Sequence, residues 1–262
     1  MTELATEIRQ ALTSDPRLAR HIAHIQTSTR RKTLGMSIKP GEQGITIHVP
    51  AHTTPAEVIA LLNRSRDRIG ALLVKADRYA PDTPVRELVN GAGFLWLGSS
   101  KRLRLTAGTP AVRAVDDSGT PSTVGRWLQL DPAVRHRGAQ PIVDWYIREG
   151  TAWAQPEAGQ QWQRMGARQP MPVVQVADIG RTRWGVHDGR TDTVRIAWQV
   201  FQLSPRLVRH VLAHELVHAT RPAGKPHGPE FWRRFEAAVP GARQEQRELT
   251  EAGRSIWMGD IA

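Results

Sequence analysis

Cysteine is absent from this 262-residue chain. Its absence excludes disulfides, thiolate metal sites, iron–sulfur clusters and cysteine nucleophiles together. Any metal must therefore sit on His, Asp or Glu. Long hydrophobic runs are missing too. The first 25 residues, MTELATEIRQALTSDPRLARHIAHI, carry charge throughout and lack the continuous apolar segment of a signal peptide or membrane span. That predicts a soluble, cytoplasmic protein with no membrane partner. There is no internal repeat and no low-complexity tract. Negative charge is the scarcer sign, with 25 Asp and Glu against 36 Lys and Arg and a formal net charge of +11. Such a surface attracts polyanions, which puts nucleic acid beside protein or peptide among the expected partners. The arginines are nevertheless scattered, and the clusters are short: Arg30-Arg31-Lys32, and Lys101 with Arg102 and Arg104.

What is present suits a folded domain, since 40% of the residues are hydrophobic and can build a core without staples. Leu34, Met36 and Ile38 alternate with polar residues, the pattern breaks at Pro40-Gly41-Glu42-Gln43-Gly44, and Ile45, Ile47 and Val49 resume it. Two period-two runs around a Gly-rich turn predict a β-hairpin. Thr54-Pro55-Ala56-Glu57 supplies an N-cap, a first-turn proline and a capping-box glutamate ahead of Val58, Ile59, Leu62, Ile69, Leu72 and Leu73. A long amphipathic helix ending before Pro81 follows from this. Strands are expected over 94–97, 102–105, 111–115 and 124–130.

After about residue 133 the texture turns helical, through Ile142, Val143, Trp145, Tyr146 and Trp153, with Pro156 expected to kink or restart the run. The predicted domains are therefore 1–133, a β-hairpin-rich region with one long helix, and 134–262, which holds the chemistry. Strands at 173–176 and 194–197 flank a turn-like stretch at 185–189. The nine tryptophans fall mostly on apolar stripes and are expected in the core.

Ser204-Pro205 marks a helix start. Along the helix to about Thr220, Leu207, Val208, Val211, Leu212 and Leu216 form the apolar half, while Arg206, Arg209 and His210 lie on the polar side. His214 and His218, about 40° apart, fall at the edge of the apolar face, and Glu215 falls inside it. Unpaired, each would cost about 1–3 kcal/mol to bury. A zinc ion resolves this, because imidazoles at i and i+4 reach one metal, while the glutamate one residue on flanks it and can move a proton. The bland alternative is a pair of satisfied core histidines. Catalytic zinc sites usually have three protein ligands. His227, nine residues beyond His218 and just ahead of Gly228-Pro229, is the expected third; Glu230 is the alternative.

The residues beyond this motif resemble the YgjP-like metallopeptidases, small zincins related to the WLM and SprT-type proteases. Arg30-Arg31-Lys32-Thr33-Leu34, the hairpin ending at Val49-Pro50, the helix from Pro55, the Gly98 hairpin, Arg183-Trp184-Gly185, His214-Glu215-Leu216-Val217-His218 and His227-Gly228-Pro229-Glu230-Phe231-Trp232 come in that family's order. The resemblance spans roughly residues 25 to 240. It implies an α+β fold, an amino-terminal β-rich region followed by a carboxy-terminal minimal zincin (gluzincin-like) core. It also implies Zn2+ held by His214, His218 and His227, with Glu215 as the catalytic carboxylate of a metallopeptidase.

Two departures stand out. The family's Arg-Trp-Gly continues with Ser-Cys where this chain has Val186-His187, and the loop between the second and third ligands is longer here. Arg183 is expected to pair with an acidic side chain, Trp184 to fill the core beside the zinc helix, and His187 to face solvent in a turn. Two other functions suit the same residues, a zinc-dependent nucleotide phosphohydrolase and a non-catalytic zinc-containing module that binds nucleic acid or protein.

Overall fold

The computed structural model describes residues 3–12, 22–37, 45–65, 67, 69 and 84–262. The fold is α+β, and contacts divide the chain into two compact units, Met1–Pro81 and Asp82–Ala262. No helix among the described residues is long and apolar enough to cross a membrane.

In the first unit, β1 (Ile22–Ser28), β2 (Gly35–Ser37) and β3 (Ile45–Pro50) form a sheet in the order β1-β3-β2. β2 and β3 pair antiparallel through Met36 and Ile47, so the two strands of the expected hairpin are present; its turn, 38–44, lies outside the described residues. β1 was not foreseen. It runs parallel to β3, a pairing between distant segments that no turn signal announces. Helices α1 (Glu3–Leu12) and α2 (Pro55–Arg64) complete the unit. At the start of α2, Glu57 Oε2 accepts from Thr54 N at 2.8 Å while Thr54 Oγ1 accepts from Glu57 N, the reciprocal capping box. Ile8, Ile45, Ile47, Val49, Val58, Leu62 and Ile69 form the core. The expected continuation of α2 through Leu72 and Leu73 lies outside the described residues.

The second unit opens with a mixed sheet, in the order β4-β5-β7-β6, of β4 (Gly93–Trp96), β5 (Ser99–Leu105), β6 (Arg113–Val115) and β7 (Trp127–Leu130). Leu97 and Gly98, both at positive φ, make the two-residue turn between β4 and β5. Lys101, read from sequence as part of a basic surface cluster, is buried instead. Its Nζ donates to the Thr123 carbonyl at 2.7 Å and also to that of Gly125.

Helix α3 (Gln140–Arg164) runs unbroken through Pro156, contrary to the expected kink. One missing N–H near the exposed side of a 25-residue helix is outweighed by the packing of Trp145, Tyr146, Ala154, Ala158 and Trp162. The unit's core takes Leu103, Leu128 and Leu130 from the first sheet together with Trp145, Trp198, Leu212 and Trp257. Strands before residue 133 thus pack with helices after it. The compact units part at Pro81 and Asp82, not where the sequence texture changes.

A second sheet, in the order β8-β10-β9, contains β8 (Val173–Ala177), β9 (Gly185–Asp188) and β10 (Thr193–Ala197), with β9 at an edge. The expected turn at 185–189 is therefore a strand over most of its length. Gly185-Val186-His187-Asp188 lacks the apolar alternation that would have announced it, and pairing with β10 defines it. Then come α4 (Pro205–Ala219), α5 (Pro229–Ala238) and α6 (Ala242–Ala252). Ser204 occupies the N-cap of α4, but its hydroxyl makes no capping bond.

Candidate metal centre

Helix α4 buries Leu207, Val208, Val211, Leu212 and Leu216 in the unit's main core and Ala213 and Val217 against α5. His214 and His218 sit between these stripes, one turn apart, where neither core closes over them. After Thr220 the chain passes through Arg221, at φ 49°, and returns at His227, at φ 55°. A non-glycine residue held in the left-handed region costs about 1–3 kcal/mol and persists only where its surroundings fix it. Gly228 follows with its N–H on the Lys225 carbonyl at 2.9 Å, and a Cβ there would lie 2.8 Å from that oxygen. Pro229 then starts α5.

This path brings three imidazole nitrogens together. Nε2 of His218 lies 3.2 Å from that of His214 and 3.0 Å from that of His227, and the His227 to His214 separation is 3.1 Å. These are the residues expected from sequence. An imidazole nitrogen carries either one proton or one lone pair, so three cannot all satisfy one another. A tetrahedral cation with nitrogen ligands at about 2.0–2.1 Å has ligand edges of about 3.3 Å, close to the spacing here. The donor set therefore fits a shared metal. Burial, then the neighbouring histidines, pushes His214 down to about 3, and burial with His227 and His187 pushes His218 down to about 4. Both are neutral at pH 7, as ligation requires.

Phe231, fully buried on α5, lies with its ring centre 5.0 Å from His214 and 4.8 Å from both His218 and His227. Apart from the histidines themselves, it is the one aromatic ring among the described residues that meets all three, and the sequence reading gave it only a place on an apolar stripe. Its i to i+4 partner Phe235 also meets His214, at 5.4 Å.

Glu230, the alternative third ligand, is engaged elsewhere. Its carboxylate accepts from Arg233 Nε at 2.8 Å and Arg234 Nε at 2.7 Å, which hold it down at about 2. Arg234 Nη1 also donates to the carbonyl and hydroxyl oxygens of Thr220, each at 2.9 Å. Arg234 thus ties the end of α4 to the start of α5, the two points between which His227 is strung.

Glu215 is buried beside this cluster. Burial raises it to about 7, against the opposing pull of the His187 backbone N–H and the Arg183 charge. Gly185 faces it so closely that a Cβ would sit 2.6 Å from Glu215 Cγ. The Arg183-Trp184-Gly185 segment is therefore part of the site wall. Trp184 is half-buried against the main core, as expected. Arg183 is exposed and makes no direct ion pair among the described residues; the acid its charge reaches is Glu215. His187 differs as well. Its side chain is 8% exposed and reaches Asp192 Oδ1 at 3.1 Å, because β9 is a strand lying along α4.

One turn before His214, His210 was placed on the polar side of the helix, yet it is fully buried. Helix α6 covers it: Nδ1 lies 3.3 Å from Glu245 Oε2 and Nε2 lies 3.2 Å from Gln246 Oε1.

The family described as YgjP-like, metallopeptidase domain, matches residues 32–252. Among solved structures, the chain is similar to the metallopeptidase zymogen of Pyrococcus abyssi abylysin, with 21% identity and a TM-score of 0.34 over 39% of this chain and 97% of that one. No curated protein matches it.

Proposed function

This chain belongs to the YgjP-like metallopeptidase family, and we propose that it is a zinc-dependent peptidase with His214, His218 and His227 as metal ligands and Glu215 as proton carrier. The convergence of three imidazole nitrogens within 3.0–3.2 Å, with a buried carboxylate one residue along the helix, carries this reading. Zinc, when bound, supplies Lewis acidity that polarises a carbonyl and activates water.

The chain supplies the rest. Glu215 takes a proton from the attacking water and delivers it to the departing amine, work that places a carboxylate beside the ligands without joining them. The His187 N–H holds that carboxylate in place, and Gly185 leaves it room. Phe231 excludes water from beneath the three rings and fixes their tilt. The outer edge of β9, beside α4, offers backbone groups to an extended peptide.

Metal content measured by mass spectrometry on wild-type, His218→Ala and His227→Ala protein tests the ligand set. About one zinc per chain, lost in both variants, is the expected result. Retention in His227→Ala would remove the third ligand. Peptide hydrolysis by wild-type but not Glu215→Gln protein tests the reaction; zinc without hydrolysis would leave a structural metal.

A further inference from the structure

Three exposed cations lie close in the chain to this centre, and none makes a direct ion pair among the described residues. Arg183 lies two residues before Gly185, the residue against Glu215, and is exposed. Arg221 follows His218 by three residues, with its backbone N–H on the His218 carbonyl at 3.0 Å. Lys225 precedes His227 by two and accepts from Gly228 through its carbonyl. All three are exposed, and none forms an ion pair among the described residues. The acids around them are engaged: Glu230 with Arg233 and Arg234, Asp188 with Arg195, Asp260 with Arg181, and Asp192 with His187. Asp178 lies against Arg181, and Glu215, which the Arg183 charge reaches, is buried, so these three cations remain on the exposed side without a direct ion pair.

Arg183 is also held in place. Just before it, Arg181 forms a two-pronged bond to Asp260, at 2.9 and 2.6 Å. Just after it, the Trp184 carbonyl accepts from Ala197 N at 2.9 Å, and the Trp184 ring packs so tightly on Gly253 that a Cβ there would lie 2.6 Å away. A guanidinium on an anchored segment loses less freedom on binding than one on a loose loop. Its planar fork matches a carboxylate. Arg221 and Lys225 lie on the loop between His218 and His227.

We propose that Arg183, with Arg221 and Lys225 on the loop between His218 and His227, makes this centre selective for peptides that present a carboxylate beside the scissile bond. The inference rests on the peptidase reading and names its substrate class. The carboxylate can belong to an acidic side chain or to the peptide's own C-terminus. A peptide is the partner the observations favour over nucleic acid, because the cations lie beside a centre suited to amide hydrolysis, and Lys101 of the basic cluster read from sequence is buried.

Calorimetric titration tests this with zinc-loaded Glu215→Gln protein and short peptides of one sequence. These carry Glu, Gln or Lys beside the central bond, each as free acid and as C-terminal amide. The Glu peptide should bind roughly tenfold tighter than the Gln peptide, with the Lys peptide weakest, and the difference should shrink in high salt. Adding Arg183→Gln should remove most of it, adding Arg183→Lys should keep part of it, and adding Arg135→Gln should leave it intact. Zinc content reads whether each variant is folded.

A gain that follows the free acid and not the side chain assigns the carboxylate to the C-terminus. Equal binding of Glu and Gln peptides in both series overturns the proposal. So does a short oligothymidylate that displaces the peptide and binds more tightly. If wild-type protein cuts none of the peptides while the charge preference holds, the peptidase reading falls and the carboxylate site stands.

Discussion

His210 and His214 sit one turn apart on the same helix, yet the fold treats them in opposite ways. His210 is sealed by α6, with Glu245 and Gln246 at its two nitrogens and Phe235 against its ring. His214 has no such partner and turns toward two other histidines. The first has both nitrogens faced by groups of this chain, Nε2 bonded to Gln246 and Nδ1 beside the Glu245 carboxylate without a hydrogen bond. The second belongs to a set whose spacing fits a shared cation. Burial alone does not separate a structural histidine from a ligand; what stands opposite its nitrogens does.

The sharpest test is to remove each in turn. His214→Ala should abolish stoichiometric zinc and with it hydrolysis, whereas His210→Ala should keep zinc while leaving Glu245 without its neighbour, at a cost of about 1–3 kcal/mol in urea unfolding. Equal zinc loss in both would erase the distinction. Glu215→Gln should retain the metal and lower kcat by about 10²- to 10⁴-fold, which separates holding the metal from using it.

Phe231→Ala removes the ring common to the three ligands from a fully buried position. It should cost about 3–5 kcal/mol of stability and weaken zinc binding as well. Phe235→Leu, which touches His214 but neither other ligand, should affect zinc less. Arg234→Met should cost about 1 kcal/mol, since the side chain is a third exposed, and lower zinc affinity about 10- to 100-fold by freeing the loop that carries His227. Unchanged affinity would mean that the loop holds its shape without the clamp.

The smallest effect belongs to a neighbour of His210. Arg209 bonds Glu157 of α3 at 2.6 and 3.0 Å and holds its carboxyl below the usual range. A lowered carboxylate pKa stabilises the fold above the unfolded value and loses that contribution as pH falls through the folded one. Glu157→Gln should therefore cost under about 1 kcal/mol at pH 7, and the difference should shrink as the pH falls below the ordinary carboxylate range.

Much of the site was legible because its signals are local. The His-Glu-x-x-His spacing puts two imidazoles and a carboxylate on neighbouring faces of one helix, and Gly228-Pro229 marks where the chain turns back after His227. The capping box at Thr54 and the hairpin around Gly98 were readable for the same reason. What escaped depended on partners distant in sequence. β9 has no apolar alternation and exists through its pairing with β10. The burial of His210 follows from α6, and that of Lys101 from the carbonyls of residues 123 and 125. The change of texture near residue 133 is real, but it marks a change of element type inside one core.

By itself, then, the sequence determined which groups one helix can present: no cysteine anywhere, and a period that aligns two histidines beside a glutamate. Only the tertiary structure decided that His227 completes the cluster while Glu230 does not. Arg233 and Arg234 bind the carboxylate before it can approach the rings. Only the fold, too, placed Gly185 against Glu215 and left Arg183 exposed without a direct ion pair among the described residues. Spacing fixes what one helix presents. Which groups meet it from other elements is set by packing, where a bond formed to one neighbour is a bond withheld from another.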